Sequence, residues 1–303
     1  MAAAGATRAD ALLRAMPAIF VVIWSTGFIV ARYGMPHAPP LKFLSLRYAL
    51  SVLAFVAWAL ASRAAWPRGR AQFAHLAVAG ILMHAGYLGG VWAAVKGGMG
   101  AGLSALLVGL QPVLTAVWIS ARGGEVQARQ WAGLGLGLLG LVLVVWQKLG
   151  YGEVNAATLT FALIALFSIT AGTLYQKRFV SPCDVRTANL VQLAAALAVT
   201  LPVALLLETE AIRWLRPDGA WNGELLGAIA WSVLGLTLGG SSLLYLLIQR
   251  GAATTVTSLM YLVPPTTALM AWVLFGEPIT ALVVAGMALT AVGVSLVVRP
   301  ARR

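Results

Sequence analysis

The residues in this chain able to do chemistry are a few polar and aromatic side chains set deep inside apolar runs. Gly80, His84 and Tyr87 fall at i, i+4 and i+7, one stripe of a helix with His84 at its middle. Ser104, Gln111, Thr115 and Trp118 share a second face, and Gln111 precedes Pro112, which removes a backbone donor and bends the helix that carries it. Pro264 and Pro265, flanked by Thr257 and Tyr261, hold the matching place in the second half. Ser241, Tyr245 and Gln249 lie on one helical face, Trp24 sits deep in the first apolar run, and Arg47 is the only basic residue well inside a run.

A polar group deep in an apolar helix is costly unless it faces a cavity or a partner. Trp24, His84, Tyr87, Gln111, Ser241, Tyr245 and Tyr261 therefore form the expected substrate-binding set, with Trp24 and Tyr87 as stacking partners for an apolar or aromatic solute. His84 has two readings: a donor or titrating group in the cavity, or a partner for a carbonyl of a neighbouring helix. Pro112, Pro264 and Pro265 are expected as kinks that gate the site, the alternative being that they only shape packing. Arg47 either holds a substrate carboxylate or is structural, paired with helix-end carbonyls or snorkelling to the surface. Glu125 and Glu277 each precede an apolar run, where a carboxylate favours the positive end of the following helix.

Catalysis finds little support. His37, His75 and His84 lie apart without metal-ligand spacing, and Ser168 has no evident His or Lys partner. The single Cys183 excludes an intrachain disulfide framework and a multi-cysteine zinc site. No phosphate-binding loop is present, so this chain alone is not a primary pump. The expectation is a protein that is not an enzyme, with no cofactor and no metal. An intramembrane enzyme and a lipid scramblase or channel are the remote alternatives.

The elements that must position these residues are long and apolar. Of 303 residues 60% are hydrophobic and 10% charged, against about a quarter charged in soluble domains. A helix needs about 20 apolar residues to cross the hydrocarbon core. That length picks out runs at 17–34, 41–61, 73–95, 101–121, 131–147, 158–176, 185–207, 224–248, 252–275 and 280–298. The first run continues to about Gly34 without a small-residue cleavage pattern, so it reads as a retained span. The net charge of +12 does not mark a nucleic-acid surface, because Lys and Arg sit in short segments between runs. With both termini cytoplasmic, the inner segments hold 14 of the 21 Lys and Arg and the outer segments six, the asymmetry that orients membrane proteins.

One stretch occurs twice. Residues 110–125 and 262–277 align without a gap at Leu110/Leu262, Pro112/Pro264, Thr115/Thr267, Ala116/Ala268, Gly124/Gly276 and Glu125/Glu277. Each copy is followed by an apolar run with spaced glycines, Gly133 and Gly140 in one and Gly286 and Gly293 in the other. A doubled unit of five spans must enter the membrane the second time upside down, an architecture that recurs in secondary transporters with the site near the midplane. The Gly133-xxx-Gly137 pattern permits a close helix approach, either inside the chain or in a homodimer.

These residues carry a resemblance. Trp24-Ser25-Thr26-Gly27-Phe28, Leu46-Arg47-Tyr48, the prolines of the fourth and ninth runs, and Gly-Glu ahead of the fifth and tenth are similar to the EamA-type permeases of the drug/metabolite transporter superfamily. The likeness extends from about 17 to 298, with Ser25 standing where the family often has Gly. It implies an all-α membrane protein of ten transmembrane helices in two inverted five-helix repeats. The boundaries are a cytoplasmic tail at 1–16, a first repeat at 17–148, a second at 157–298 and a tail at 299–303. The resemblance further implies a multi-pass carrier of the bacterial inner membrane that exports a small metabolite by alternating access. Neutral or aromatic amino acids lead, since the chain is similar to aromatic amino-acid exporters of that family; a nucleoside, a sugar phosphate or a cationic drug is the alternative. Its partners are then a small-molecule substrate and the lipid bilayer, not nucleic acid. No Asp or Glu stands mid-span, so export is expected to be facilitated or weakly coupled, with coupling falling to His84 or another ion.

Overall fold

Lipid offers the backbone no hydrogen bonds, so an apolar chain in lipid satisfies its amides within helices. The computed structural model describes residues 8–123, 127–149, 152–240, 243 and 262–298, and these are helical apart from short connections and one longer link at 208–222, where Leu215 and Trp221 form an isolated antiparallel bridge. Helices α1 (Arg8–Gly34), α2 (Pro40–Ala61), α3 (Arg70–Lys96), α4 (Ala101–Ala121) and α5 (Ala128–Leu149) make up the first half. The second half holds α6 (Ala156–Phe179), α7 (Val185–Leu207), α8 (Gly223–Gly240), α9 (Val263–Phe275) and α10 (Ala281–Val298). Seven of these, α2 to α8, are long and apolar enough to cross a membrane, and shorter apolar stretches lie at Ala18–Gly34, Val263–Phe275 and Ala281–Leu296. The outer faces carry large apolar side chains with no cover from the chain, Leu206 at 81% and Trp146 at 75% exposed, while Ser25 and Ser51 are fully buried. That inside-out distribution suits lipid, since it would be costly in water.

The helices differ from the sequence expectation mostly at their ends. α1 starts nine residues before the expected 17, because Arg8–Met16 is rich in good helix formers and the apolar helix simply continues the coil. α6 opens on a capping box, Asn155 Oδ1 accepting from Thr158 N at 2.9 Å and Asn155 N donating to Thr158 Oγ1 at 3.0 Å. α9 stops at Gly276, whose φ of +66° suits glycine best.

Contacts between connections sort them into two ends. At one end Glu208 accepts from the Leu41 and Lys42 amides, and the Arg213 amide donates to the His37 carbonyl. Here too Glu153 takes the Gly100 amide and Glu277 the Ala101 amide. At the other end Gln72 exchanges bonds with the Ser181 backbone, and Thr187 donates to the Ala65 carbonyl. The connection between the first and second helices of the first half (35–39) therefore lies opposite its counterpart in the second half (180–184), as an inverted pair requires.

Glycines set the close crossings. A Cβ on Gly140 would come within 2.4 Å of the Gly286 carbonyl, and one on Gly293 within 2.4 Å of the Gly133 carbonyl. The Gly137 backbone also lies against Gly293, while a Cβ on Gly137 itself would point at Leu110 and Val113 of α4. Gly90 meets α6 at the Phe161 carbonyl and Gly80 meets α7 at Gln192.

Candidate functional site

The site starts at two neighbours on α2. Arg47 is 8% exposed and does not snorkel; its Nε and Nη2 donate to Thr237 Oγ1 on α8, at 3.2 and 3.1 Å. The acceptor is thus a side-chain hydroxyl from the other half, not the helix-end carbonyl that was one expectation. Tyr48, fully buried, donates its hydroxyl to the His84 carbonyl on α3 at 2.9 Å, with its ring edge-on to the His84 imidazole at 6.1 Å. Tyr87 is buried on the next turn of α3, and Tyr48, Tyr87 and His84 all stand within electrostatic reach of the guanidinium.

Both helices that meet α2 here depart from α geometry. α3 is π-helical over Ile81–Gly86, which includes His84, and α8 over Trp231–Gly240, which includes Thr237. Each is the third helix of its half. The π turn explains the bonding: Thr237 Oγ1 donates to the Ser232 carbonyl five residues back, at 2.8 Å. The π segment lies between Gly80 and Tyr87, so the spacing along this stripe is not that of a regular α-helix. Gly80 instead lets α3 pack on the backbone of Gln192, whose side chain bonds Gln176 on α6 at 3.1 Å and stands as the hydrogen-bonding neighbour of the His84 side chain.

A second feature joins α4 and α9. α4 breaks at Gly109–Leu110, ahead of Pro112, into segments Ala101–Val108 and Gln111–Ala121. α9 has its prolines in its first turn after Leu262. The two helices cross there, a Cβ on Gly109 meeting Pro264 Cγ at 3.1 Å. Gln111 Nε2 donates to Thr173 Oγ1 on α6 at 2.9 Å, and Thr115 Oγ1 to the Gln111 carbonyl at 2.9 Å. Thr267 and Ser25 tie α9 to α1 by long bonds of 3.4 and 3.5 Å, so Ser25 serves the helix contact at the position where the family often has Gly. Trp24 is half-buried and rests on Phe20 of its own helix, ring centroids 5.3 Å apart. Ser241, Tyr245, Tyr261, Thr257, Gln249 and Glu125 lie outside the described residues.

Glu277 does not cap the helix that follows it. Its carboxylate reaches back to the Ala101 amide at the start of α4, while Thr280 Oγ1 accepts from Val283 N at the start of α10. Glu153 holds the neighbouring Gly100 amide and pairs with the buried Lys148. At the opposite end a cavity of about 550 Å³ is lined by Trp66, Arg68, Gln72, His75, Phe179 and Cys183, among others. Arg186 bonding holds the Asp184 carboxyl below its ordinary range there, and burial pushes the Cys183 thiol up. Among the described residues no group of three His, Cys, Asp or Glu side chains is placed to hold a metal ion.

Reasoning from sequence missed Tyr48, Gln192 and Thr237 as members of the central cluster. The signal available was the glycine density of the two third helices, Gly80, Gly86, Gly89 and Gly90 in one and Gly235, Gly239 and Gly240 in the other.

The description of the EamA-like transporter family matches this chain twice, at residues 15–146 and 156–299. A probable amino-acid metabolite efflux pump of Salmonella typhimurium is 27% identical over 91% of this chain and 91% of its own length. The uncharacterized inner membrane transporter YedA of Escherichia coli K12 is 24% identical over 86% of this chain and 81% of its own. One solved crystal structure of a protein superposes with a TM-score of 0.62 at 17% identity, over 93% of this chain and 95% of its own, which establishes the likeness of fold.

Proposed function

We propose, from the premise that the chain belongs to the EamA-like transporter family and is a multi-pass membrane transporter, that it moves a small metabolite outward by alternating access between its two repeats. The observation that carries this reading is the polar cluster of Arg47, Tyr48, Tyr87 and Thr237, all buried, with the half-buried His84 beside them. It draws on both repeats and on a π-helical turn from each, and polar groups at such depth are retained where a solute passes. The reading comprises ten spans, with repeats at 17–148 and 157–298 and cytoplasmic tails at 1–16 and 299–303, in the bacterial inner membrane. Trp24, His84, Tyr87 and Gln111, with Ser241, Tyr245 and Tyr261, line the route. Pro112, Pro264 and Pro265 let the crossing of α4 and α9 open and close, the role expected of interrupted helices at matching positions of two halves.

Neutral or aromatic amino acids are the proposed substrates, and the printed name of the Salmonella relative agrees with amino-acid metabolites. The test is counterflow in proteoliposomes: vesicles loaded with each unlabelled amino acid, nucleoside or sugar phosphate, then given the labelled form outside. Saturable, trans-stimulated uptake of an amino acid is expected. Flux that rises linearly without saturation indicates a pore or scramblase and overturns the reading; exchange of phosphorylated solutes alone overturns the substrate and leaves the carrier.

A further inference from the structure

Arg47 stands as a cation deep in the bundle, about 10 Å along α2 from its first residue at the helical rise per residue. Every carboxylate whose side chain is described, by contrast, lies in a connection or a first helical turn: Glu153, Asp184, Glu208, Glu210, Asp218, Glu224 and Glu277. The neighbours that reach the guanidinium electrostatically are the phenols of Tyr48 and Tyr87 and the imidazole of His84, none of them an anion at neutral pH. A buried guanidinium without a nearby carboxylate leaves a large desolvation cost uncompensated.

The bonding at Thr237 shows what the position is shaped for. Arg47 presents the edge bearing Nε–H and Nη2–H, the fork that takes the two oxygens of a carboxylate side by side. Here both N–H groups converge on one hydroxyl oxygen, at 3.2 and 3.1 Å, and that hydroxyl spends its own proton on the Ser232 carbonyl. One neutral oxygen thus stands where two charged ones fit.

We infer that Arg47 is the carboxylate anchor of the transported solute, and that a bound carboxylate displaces Thr237 from the guanidinium fork. The inference deepens the carrier reading and rests on it. It makes a carboxylate the obligatory mark of a substrate and excludes nucleosides and simple amines. It also joins occupancy to movement, because the Arg47–Thr237 bond ties α2 of the first repeat to the π turn of α8 in the second. When the carboxylate takes the fork, α8 loses that tie and is free to shift against α2.

The experiment measures thermal shift and counterflow of the purified protein with a panel of amino acids and, for each that responds, its primary amide and its decarboxylated amine. The acid should bind at least about tenfold more tightly than either, the lower end of what a hydrogen bond to a charged group contributes. Arg47→Gln should erase the preference for the acid. Thr237→Val removes the competing oxygen: it should lower the melting temperature of the empty protein yet enlarge the shift produced by the acid, which a merely structural threonine would not do. An amide or amine that exchanges as well as the acid overturns the anchor and leaves the carrier standing. So does an acid preference that survives in Arg47→Gln or, where that variant does not fold, a ligand shift in Thr237→Val no larger than wild type. A wild-type protein that exchanges no solute of the panel overturns both readings.

Discussion

Two pairs of repeat-related helices were built to opposite ends. α5 and α10 meet along glycines, Gly140 on Gly286 and Gly133 on Gly293, with backbones close enough that a methyl group on Gly140, Gly286 or Gly293 would strike a carbonyl. α3 and α8 keep apart, each widens into a π turn, and each offers a polar group to α2, the His84 carbonyl and the Thr237 hydroxyl. The first pair is held by van der Waals packing, the main attraction available between helices in lipid. The second gives up regular helical bonding beside the buried guanidinium of Arg47. Duplicated sequence has thus supplied a rigid seam and a deformable centre from equivalent positions in each repeat.

The largest effect that could break this contrast is at the seam. Gly293→Leu places a side chain against the Gly133 carbonyl and the Gly137 backbone, which cannot yield as a side-chain tip can. Loss of the folded monodisperse protein by size-exclusion chromatography is expected, and a well-folded variant would mean the seam is not rigid. Next comes the centre: Tyr48→Phe deletes the bond to the His84 carbonyl and should cost about 1 kcal/mol, the usual worth of one such bond. Its folding should survive while solute exchange falls, and the two are separated by measuring melting temperature and counterflow on one preparation. The smallest effect is a control on α8. Nothing lies within 4 Å of a Cβ added at Gly227, one turn before the π segment, so Gly227→Ala should be neutral or stabilise by up to about 1 kcal/mol through helix propensity. A large loss of melting temperature there would show that the whole of α8, and not its π turn alone, is tightly fitted.

Much of the seam was legible in the amino-acid order. The doubled stretch that carries Pro112 and Pro264 marks helices that cross, and they cross at Gly109 and Pro264. The glycines after each copy mark helices that pack closely, though only the structure shows that Gly133 answers Gly293 and Gly140 answers Gly286. The centre was less legible for a physical reason. Apolar periodicity is read at 3.6 residues per turn, and a π turn shifts every later side chain off that register, so Tyr87 could not be placed relative to His84 from spacing. Arg47 was visible as an anomaly, but its partner is a threonine 190 positions away, and a lone threonine in an apolar run carries no signal of its own. Glu277 misled for the opposite reason: adjacency favours the following helix, whereas the Ala101 amide of the opposite repeat is the one within reach.

A carrier that opens to one side at a time exposes its two ends reciprocally. With Cys183 replaced by serine, single cysteines at Met99, buried at the carboxylate-rich end, and at Ala64, buried at the arginine-rich end, report access to a membrane-impermeant maleimide. Adding a solute that counterflows should speed labelling at one site and slow it at the other. Labelling that changes in the same direction at both, or at neither, would contradict a carrier that opens to one side at a time.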